Sequence, residues 1–292
     1  VSRIHIGAKV PNNETVASPE HLKQFAKGLE QLGFDHLSID DHVSTAPVEA
    51  FGNNPGGFTT VRSQHELFTS LAWLAGATTN LRFRTGVLIL PQRQTVLVAR
   101  QAAEVDLLSN GRLTLGVGLG WNPLEFNALG ESFAQRSLRI GPQIELLRRL
   151  WVEEYVTSTD QWHNLDRMGI LPGPVQQPIP IWVGASAEPA IRRAARVADG
   201  FMALGRIGER AEHQVAIYLD EREQRGLGST PFGLEGWIDL NARSASSWKA
   251  QARKWHELGA THITLVSPAR PLISIDDHLE LLRQGIESVT AG

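Results

Sequence analysis

The strongest constraint in this sequence is a rhythm. Short apolar runs of strand character are each followed by a segment whose apolar residues recur at helical spacing. Strands are expected at 3–10, 34–39, 82–90, 112–117, 179–183, 200–204, 232–240 and 262–266, with a helix after each. A strand, a helix and another strand in strict alternation imply parallel pairing through right-handed crossovers. Eight such units in 292 residues fit an α/β fold of one kind, a closed (β/α)8 TIM barrel forming a single domain over 1–292. A doubly wound open sheet is the alternative. Its dinucleotide fingerprint is missing, because Gly116 to Gly120 has Gly-x-Gly-x-Gly spacing but runs into Trp121-Asn122-Pro123.

Two stretches interrupt the rhythm. Residues 152–177 are mixed and end in closely spaced prolines, up to Pro178, which predicts an insertion after the fourth βα unit built as a hairpin and an extended arm. Residues 44–62 form a long segment rich in Gly, Pro and Asn after the second strand. Loops in that position are more often functional than incidental, and this one is expected to close over a substrate.

Composition narrows the function classes. With no cysteine there are no disulfides, thiolate ligands or cysteine nucleophiles. A net charge of −3 offers no electrostatic case for nucleic acid. No apolar run reaches the ~18 residues of a membrane helix, and no signal-like segment opens the sequence. The expectation is a soluble, cytoplasmic protein that handles a small molecule, with no nucleic acid or membrane partner.

In a barrel the chemistry lies at the carboxyl ends of the strands. Asp41-His42 ends the second strand; His is the side chain most easily tuned for proton transfer near neutral pH, and a neighbouring carboxylate can fix its tautomer. The same pair reads equally as an ordinary loop start. Gly86-Val87 lies inside an apolar strand, where glycine marks a bulge or the close approach of a flat ligand. Gly184-Ala185-Ser186 before a helix offers backbone N–H groups to an anion or makes a simple strand-to-helix turn; of Arg192, Arg193 and Arg196 on that helix, one or two could reach a bound anion. Trp121 walls the pocket or caps its rim, and Asn122 suits either the pocket or a helix N-cap. No metal site is expected, since Asp40, Asp41 and His42 are contiguous and alternate in direction, and no paired-His spacing, phosphate-binding loop or nucleophile elbow occurs.

Taken in order, the segments Ser38-Ile39-Asp40-Asp41-His42, Thr85-Gly86-Val87-Leu88 with Pro91 and Arg93, Gly111-Arg112-Leu113 through Gly116-Val117-Gly118-Leu119-Gly120-Trp121-Asn122 with Glu125-Phe126, and Pro180 to Ser186 followed by Ala198-Asp199-Gly200 resemble the luciferase-like monooxygenase superfamily. The Gly-Trp-Asn run is most similar to its actinobacterial subgroup that uses the deazaflavin coenzyme F420. The resemblance implies a barrel of the bacterial luciferase type with a flavin-like ring over the third strand. It implies a cis peptide at Gly86–Val87, cofactor contacts from Asp41, Gly86, Val87, Gly118, Gly184, Ala185 and Ser186, and a phosphate at the last three. It also implies a substrate pocket at Trp121 and Asn122, and His42, oriented by Asp41, as the proton-transferring pair. In sugar-phosphate dehydrogenase members a Glu follows the fourth-strand glycines; here Trp121 holds that place, which speaks against such a substrate. The expected function is hydride transfer between F420 and a small organic substrate by a homodimer. The alternatives are an FMN-dependent monooxygenase and a non-catalytic flavin- or F420-binding protein.

Overall fold

In the computed structural model, residues 3–11, 16–45, 50, 64–241, 244–268 and 274–290 are described. The expected loop 44–62 lies almost wholly outside them. Eight parallel strand positions close into a ring surrounded by helices. The strands are β1 (His5–Lys9), β2 (His36–Ile39), the third strand in two pieces, β3 (Arg82–Thr85) and β4 (Leu88–Ile89), then β5 (Leu113–Gly118), β8 (Ile181–Ala185), β9 (Gly200–Arg206), β10 (Gly233–Asp239) and β11 (His262–Val266). β1 pairs with both β2 and β11, and β3 pairs with both β2 and β5, which completes the circle. The expected (β/α)8 barrel is therefore the observed one.

Each crossover helix presents an apolar stripe to the sheet. In α1 (Pro19–Gln31), Ser18 Oγ accepts from His21 N at 3.1 Å and Pro19 opens the first turn. Leu22, Phe25, Ala26 and Leu29 are buried against the barrel wall, and Gly33, at φ +79°, ends the helix. The same logic builds α2 (Leu67–Ala77), α3 (Thr95–Leu108), α5 (Arg136–Val152), α6 (Glu188–Val197), α7 (Glu209–Gln224), α8 (Ala245–Glu257) and α9 (Ile275–Thr290), with the short α4 (Pro123–Ala128) at the barrel mouth. Between α5 and β8 the chain makes an antiparallel hairpin, β6 (Val156–Thr159) and β7 (Asn164–Met168). The arm beyond it is pinned by Gln176, whose backbone N–H and Nε2 donate to Asp106 at 2.8 and 2.7 Å. No described helix is long and apolar enough to cross a membrane.

The lower interior of the barrel is filled by charge and aromatic rings rather than by branched aliphatics. Arg84 of β3 and Glu235 of β10 stand on non-adjacent strands and meet across the lumen at 2.9 Å, both almost fully buried. Thr264 donates to the same carboxylate. His36 Nε2 stands 2.9 Å from Thr264 Oγ1, and Trp182 lies against the Arg84 guanidinium, 4.0 Å from ring centroid to Cζ. Three glycines make this layer possible. A Cβ at Gly200 or Gly233 would fall within 2.4 or 1.9 Å of the Trp182 ring, and one at Gly7 within 2.1 Å of the His36 ring.

Burial opposes ionisation of Glu235, yet Arg84 and His36 hold its carboxyl at about 2. Burial and the Arg84 charge together push His36 down to about 4 against the smaller pull of Glu235. His36 therefore stays neutral in the fold at a pH where an unfolded imidazole, titrating near 6.5, is charged. The contribution of His36 to stability is full above about pH 6.5 and is lost as pH drops toward 4, by up to ~3 kcal/mol. Below that, Glu235 protonation continues the loss. Glu235→Gln leaves Arg84 buried without a counter-charge and is expected to cost ~3–5 kcal/mol; urea unfolding at pH 7 measures this, and a loss below ~1 kcal/mol would contradict it.

Candidate active site

The carboxyl ends of the strands gather the titratable groups that sequence singles out. Asp40, Asp41 and His42 leave β2 in succession and go to three different partners. Asp40 pairs with Lys9 of β1 at 2.8 Å, and the Lys9 ammonium sits 4.9 Å from the Trp237 ring centroid. Asp41 is buried. Its Oδ2 accepts from Ile89 N at 3.0 Å and Arg93 Nε at 3.2 Å, and its Oδ1 accepts from Arg93 Nη2 at 2.6 Å. This two-pronged grip fixes the turn after the third strand. It leaves Asp41 committed away from His42.

The partner of His42 is Glu125. His42 Nδ1 stands 3.0 Å from Oε1 and 3.3 Å from Oε2 of that carboxylate, which is 1% exposed. An ionised carboxylate only accepts, so the hydrogen between the two groups sits on Nδ1. Burial opposes charge on His42, but the Glu125 hydrogen bond and the fields of Glu125, Asp40 and Asp41 outweigh it, and its pKa is raised. Glu125, rather than the neighbouring Asp41, is thus the carboxylate hydrogen-bonded to the His42 ring. Its placement has a local cause: Asn122 Oδ1 accepts from Leu124 N at 3.0 Å, capping α4 and turning its first residues back over the mouth. Asn122 is buried as this cap, while Trp121, 37% exposed, meets the His42 ring edge-on at 6.2 Å.

The third strand, expected as one run over 82–90 with a bulge at Gly86, breaks at that glycine. The β3–β5 and β4–β5 registers differ by one residue, and the excess lies at Gly86–Val87, whose peptide bond is cis. Val87 is only half-buried, and its methyls lie where neighbouring side chains would otherwise stand. A Cβ on Gly118 would be 2.6 Å from Val87 Cγ2, and one on Gly184 2.9 Å from Cγ1. A Cβ on Gly86 would fall 2.1 Å from Ser38 Oγ. Gly86, Val87, Gly118 and Gly184 therefore form one constellation at the mouth.

The remaining candidates lie beside it. Ala185 is buried and Ser186 exposed, two residues before α6. Arg192 and Arg196 are engaged by Glu188, Asp220 and Glu221. Arg193 has no carboxylate partner among the described residues; burial and then Arg196 lower its pKa, and it flanks the small cavity bordered by Gly184 and Ala185. Gln92, 3% exposed in the 3-10 turn Leu90–Gln92, has neither amide atom hydrogen-bonded. Sequence reasoning missed Glu125 because an acidic residue in a first helical turn reads as a helix-dipole partner; only the Asn122 cap hinted that this turn faces inward.

Residues 2–267 match the family described as luciferase-like monooxygenase. The chain is similar to an uncharacterized protein of Mycobacterium tuberculosis, 36% identical over 216 residues, 72% of this chain and 73% of that one. It is also similar to the F420-dependent glucose-6-phosphate dehydrogenase of Kineococcus radiotolerans, 30% identical over 274 residues, 91% of this chain and 75% of that one. A solved F420-dependent secondary alcohol dehydrogenase, in complex with an F420-acetone adduct, shares the fold at TM-score 0.78 and 15% identity, covering 99% of each chain.

The Glu125 contact carries a direct test. In the wild type, NMR titration of His42 is expected to give a pKa above the ordinary ~6.5. Glu125→Gln should bring it below the wild-type value, because the buried ring then keeps its desolvation but loses its strongest partner. An unchanged pKa in that variant would remove Glu125 from this role.

Proposed function

Because the chain belongs to the luciferase-like monooxygenase family, we propose that it is an oxidoreductase passing hydride between coenzyme F420 and a small organic substrate. The observation that carries this reading is the His42–Glu125 pair standing at the same barrel mouth as the Val87 shelf. The residues present fit a flat ring with a phosphorylated tail. The Gly86–Val87 step, with Gly118 and Gly184 beside it, offers the ring a surface poor in side chains. Gln92 offers orphaned amide atoms, and Gly184, Ala185 and Ser186, flanked by the half-buried Arg193, offer backbone and charge to an anion. In this reading the ring is held by Asp41, Gly86, Val87, Gly118, Gly184, Ala185 and Ser186.

Bound there, the deazaflavin supplies hydride exchange at its ring carbon. The protein supplies the proton and its control. His42 gives or takes a proton at Nε2, while Glu125 keeps the Nδ1 proton in place and stabilises the charged ring. Asp41 also fixes the turn at Ile89 and Arg93 that borders the ring. Trp121 walls the substrate side. The 30% identical relative uses F420, which favours it over FMN; the family's description as monooxygenase keeps FMN as the second reading. We read the chain as one barrel domain with the 152–178 segment as its insertion. We also read it as a homodimer, since Trp73 on α2 and Val96, Leu97 and Leu108 on the adjoining α3 are exposed apolar residues.

Equilibrium titration of the protein with F420 and with FMN tests the cofactor. Tight binding of F420 and weak binding of FMN are expected, and the reverse order would move the assignment to the monooxygenase reading. With a reducible substrate in hand, His42→Ala should lower kcat by about 10²–10⁴ at unchanged F420 affinity. Full turnover in that variant would exclude His42 from proton transfer.

A further inference from the structure

The β6–β7 hairpin sits away from the mouth in sequence and on the outside of the barrel, yet one chain of hydrogen bonds joins it to the site. At the hairpin end, Asp160 accepts from the backbone N–H groups of Trp162 and His163 at 2.6 and 2.7 Å, and its Oδ2 meets His163 Nδ1 at 2.9 Å. The carboxylate fixes the Nδ1–H tautomer, so His163 Nε2 accepts the Thr95 hydroxyl at 2.7 Å. Thr95 Oγ1 in turn accepts from Gln143 Nε2 at 3.1 Å. The donors all point one way, from Gln143 through Thr95 and His163 to Asp160, so each bond polarises the next. His163, Thr95 and Gln143 are all buried.

Gln143 is the junction. Its Nε2 also faces the carbonyls of Leu90 at 3.2 Å and Arg93 at 3.0 Å. One turn earlier on the same face of α5, Arg139 donates to Pro91 O at 3.1 Å and Arg93 O at 3.3 Å. The turn so held carries the Arg93 guanidinium that grips Asp41, and Asp41 in turn accepts from Ile89 N. The backbone beside the Gly86–Val87 step is thereby clamped from two sides, by Asp41 within the barrel mouth and by α5 outside it. His163 fixes the hydroxyl that orients the α5 clamp.

We propose that His163 is a positioning residue for the barrel mouth: through Thr95 and Gln143 it sets the Leu90–Arg93 turn and so the Arg93–Asp41 pair. The hairpin then serves as a brace for the catalytic rim. The rival role for His163 is local, an anchor that keeps the hairpin on α3 and reaches no further. The two roles differ at one place, the Ile89 amide that Asp41 accepts, which the brace protects and the anchor does not.

Amide hydrogen exchange of the protein without cofactor separates them, and its outcome is independent of which cofactor binds. His163→Ala is expected to speed exchange of the Ile89 and Arg93 amides by about 10-fold or more, as local opening becomes easier. His163→Gln places a carbonyl oxygen near the former Nε2 and should restore most of the protection. Thr157→Val removes the hydroxyl that accepts from Arg167 N across the hairpin at 3.1 Å; it should loosen the hairpin and leave Ile89 unchanged. If His163→Ala folds poorly, the near-isosteric Thr95→Val cuts the same link from α3 and must show the same effect at Ile89. Wild-type exchange at Ile89 in the link-cutting variant, or equal acceleration in Thr157→Val, would overturn the proposal.

Discussion

Val87 leaves the wall of the barrel and fills space at its mouth, which is possible because Gly118 and Gly184 carry no side chains to meet it. A parallel strand that keeps its register would place one residue at each level of the wall. Here the third strand carries one residue more than its neighbour needs, and the excess is spent at Gly86–Val87. Everything around the mouth is consistent with holding that step. Ser38 lies where a side chain on Gly86 would stand, Asp41 accepts from the Ile89 amide, and Arg139 and Gln143 occupy the carbonyls of the turn that follows. A surface poor in side chains at the end of a barrel strand is what a flat ligand needs; His42, beside it, is held by Glu125.

Electrostatics divide the barrel into two levels. Below, Arg84, Glu235, His36, Thr264 and Trp182 form a buried layer in which His36, through burial and the Arg84 charge, and Glu235, through its pairing with Arg84, are held well below their ordinary titration. Such a layer contributes little net stability compared with an apolar one, but losing one member is costly. Above, the three residues that end β2 distribute their charges to Lys9, to Arg93 and to Glu125. Burial opposes charge on His42, yet its hydrogen bond to Glu125 and the nearby carboxylates raise its pKa. The lower layer gives the barrel a rigid floor, and the upper set works on top of it.

Much of this was legible in the sequence, and for identifiable reasons. The alternation of strand and helix fixed the barrel because periodicity survives tertiary packing. Ser18-Pro19 and Gly33 marked the ends of α1, and Gly86-Val87 stood out because glycine weakens a strand. What remained hidden depends on contacts between segments distant in the chain. Asp41 and His42 are adjacent in sequence, so a pairing between them was the natural reading; alternation along the backbone sends them apart, to Arg93 and Glu125. Gly118 and Gly184 read as ligand contacts, whereas the structure gives them a prior duty, to admit Val87. The charged floor was invisible for the same reason, since nothing local in Arg84 or Glu235 announces that they meet across the lumen.

In the proposed reading, the Gly86–Val87 step seats a deazaflavin ring whose reactive edge faces His42. A crystal structure of the protein grown with oxidised F420 tests it most directly. The account predicts electron density for a flat ring lying on Val87 between Gly118 and Gly184, with the His42 ring facing its edge and the phosphate near Gly184 to Ser186. Density for the ring elsewhere in the barrel mouth, with Val87 left uncovered, would contradict it.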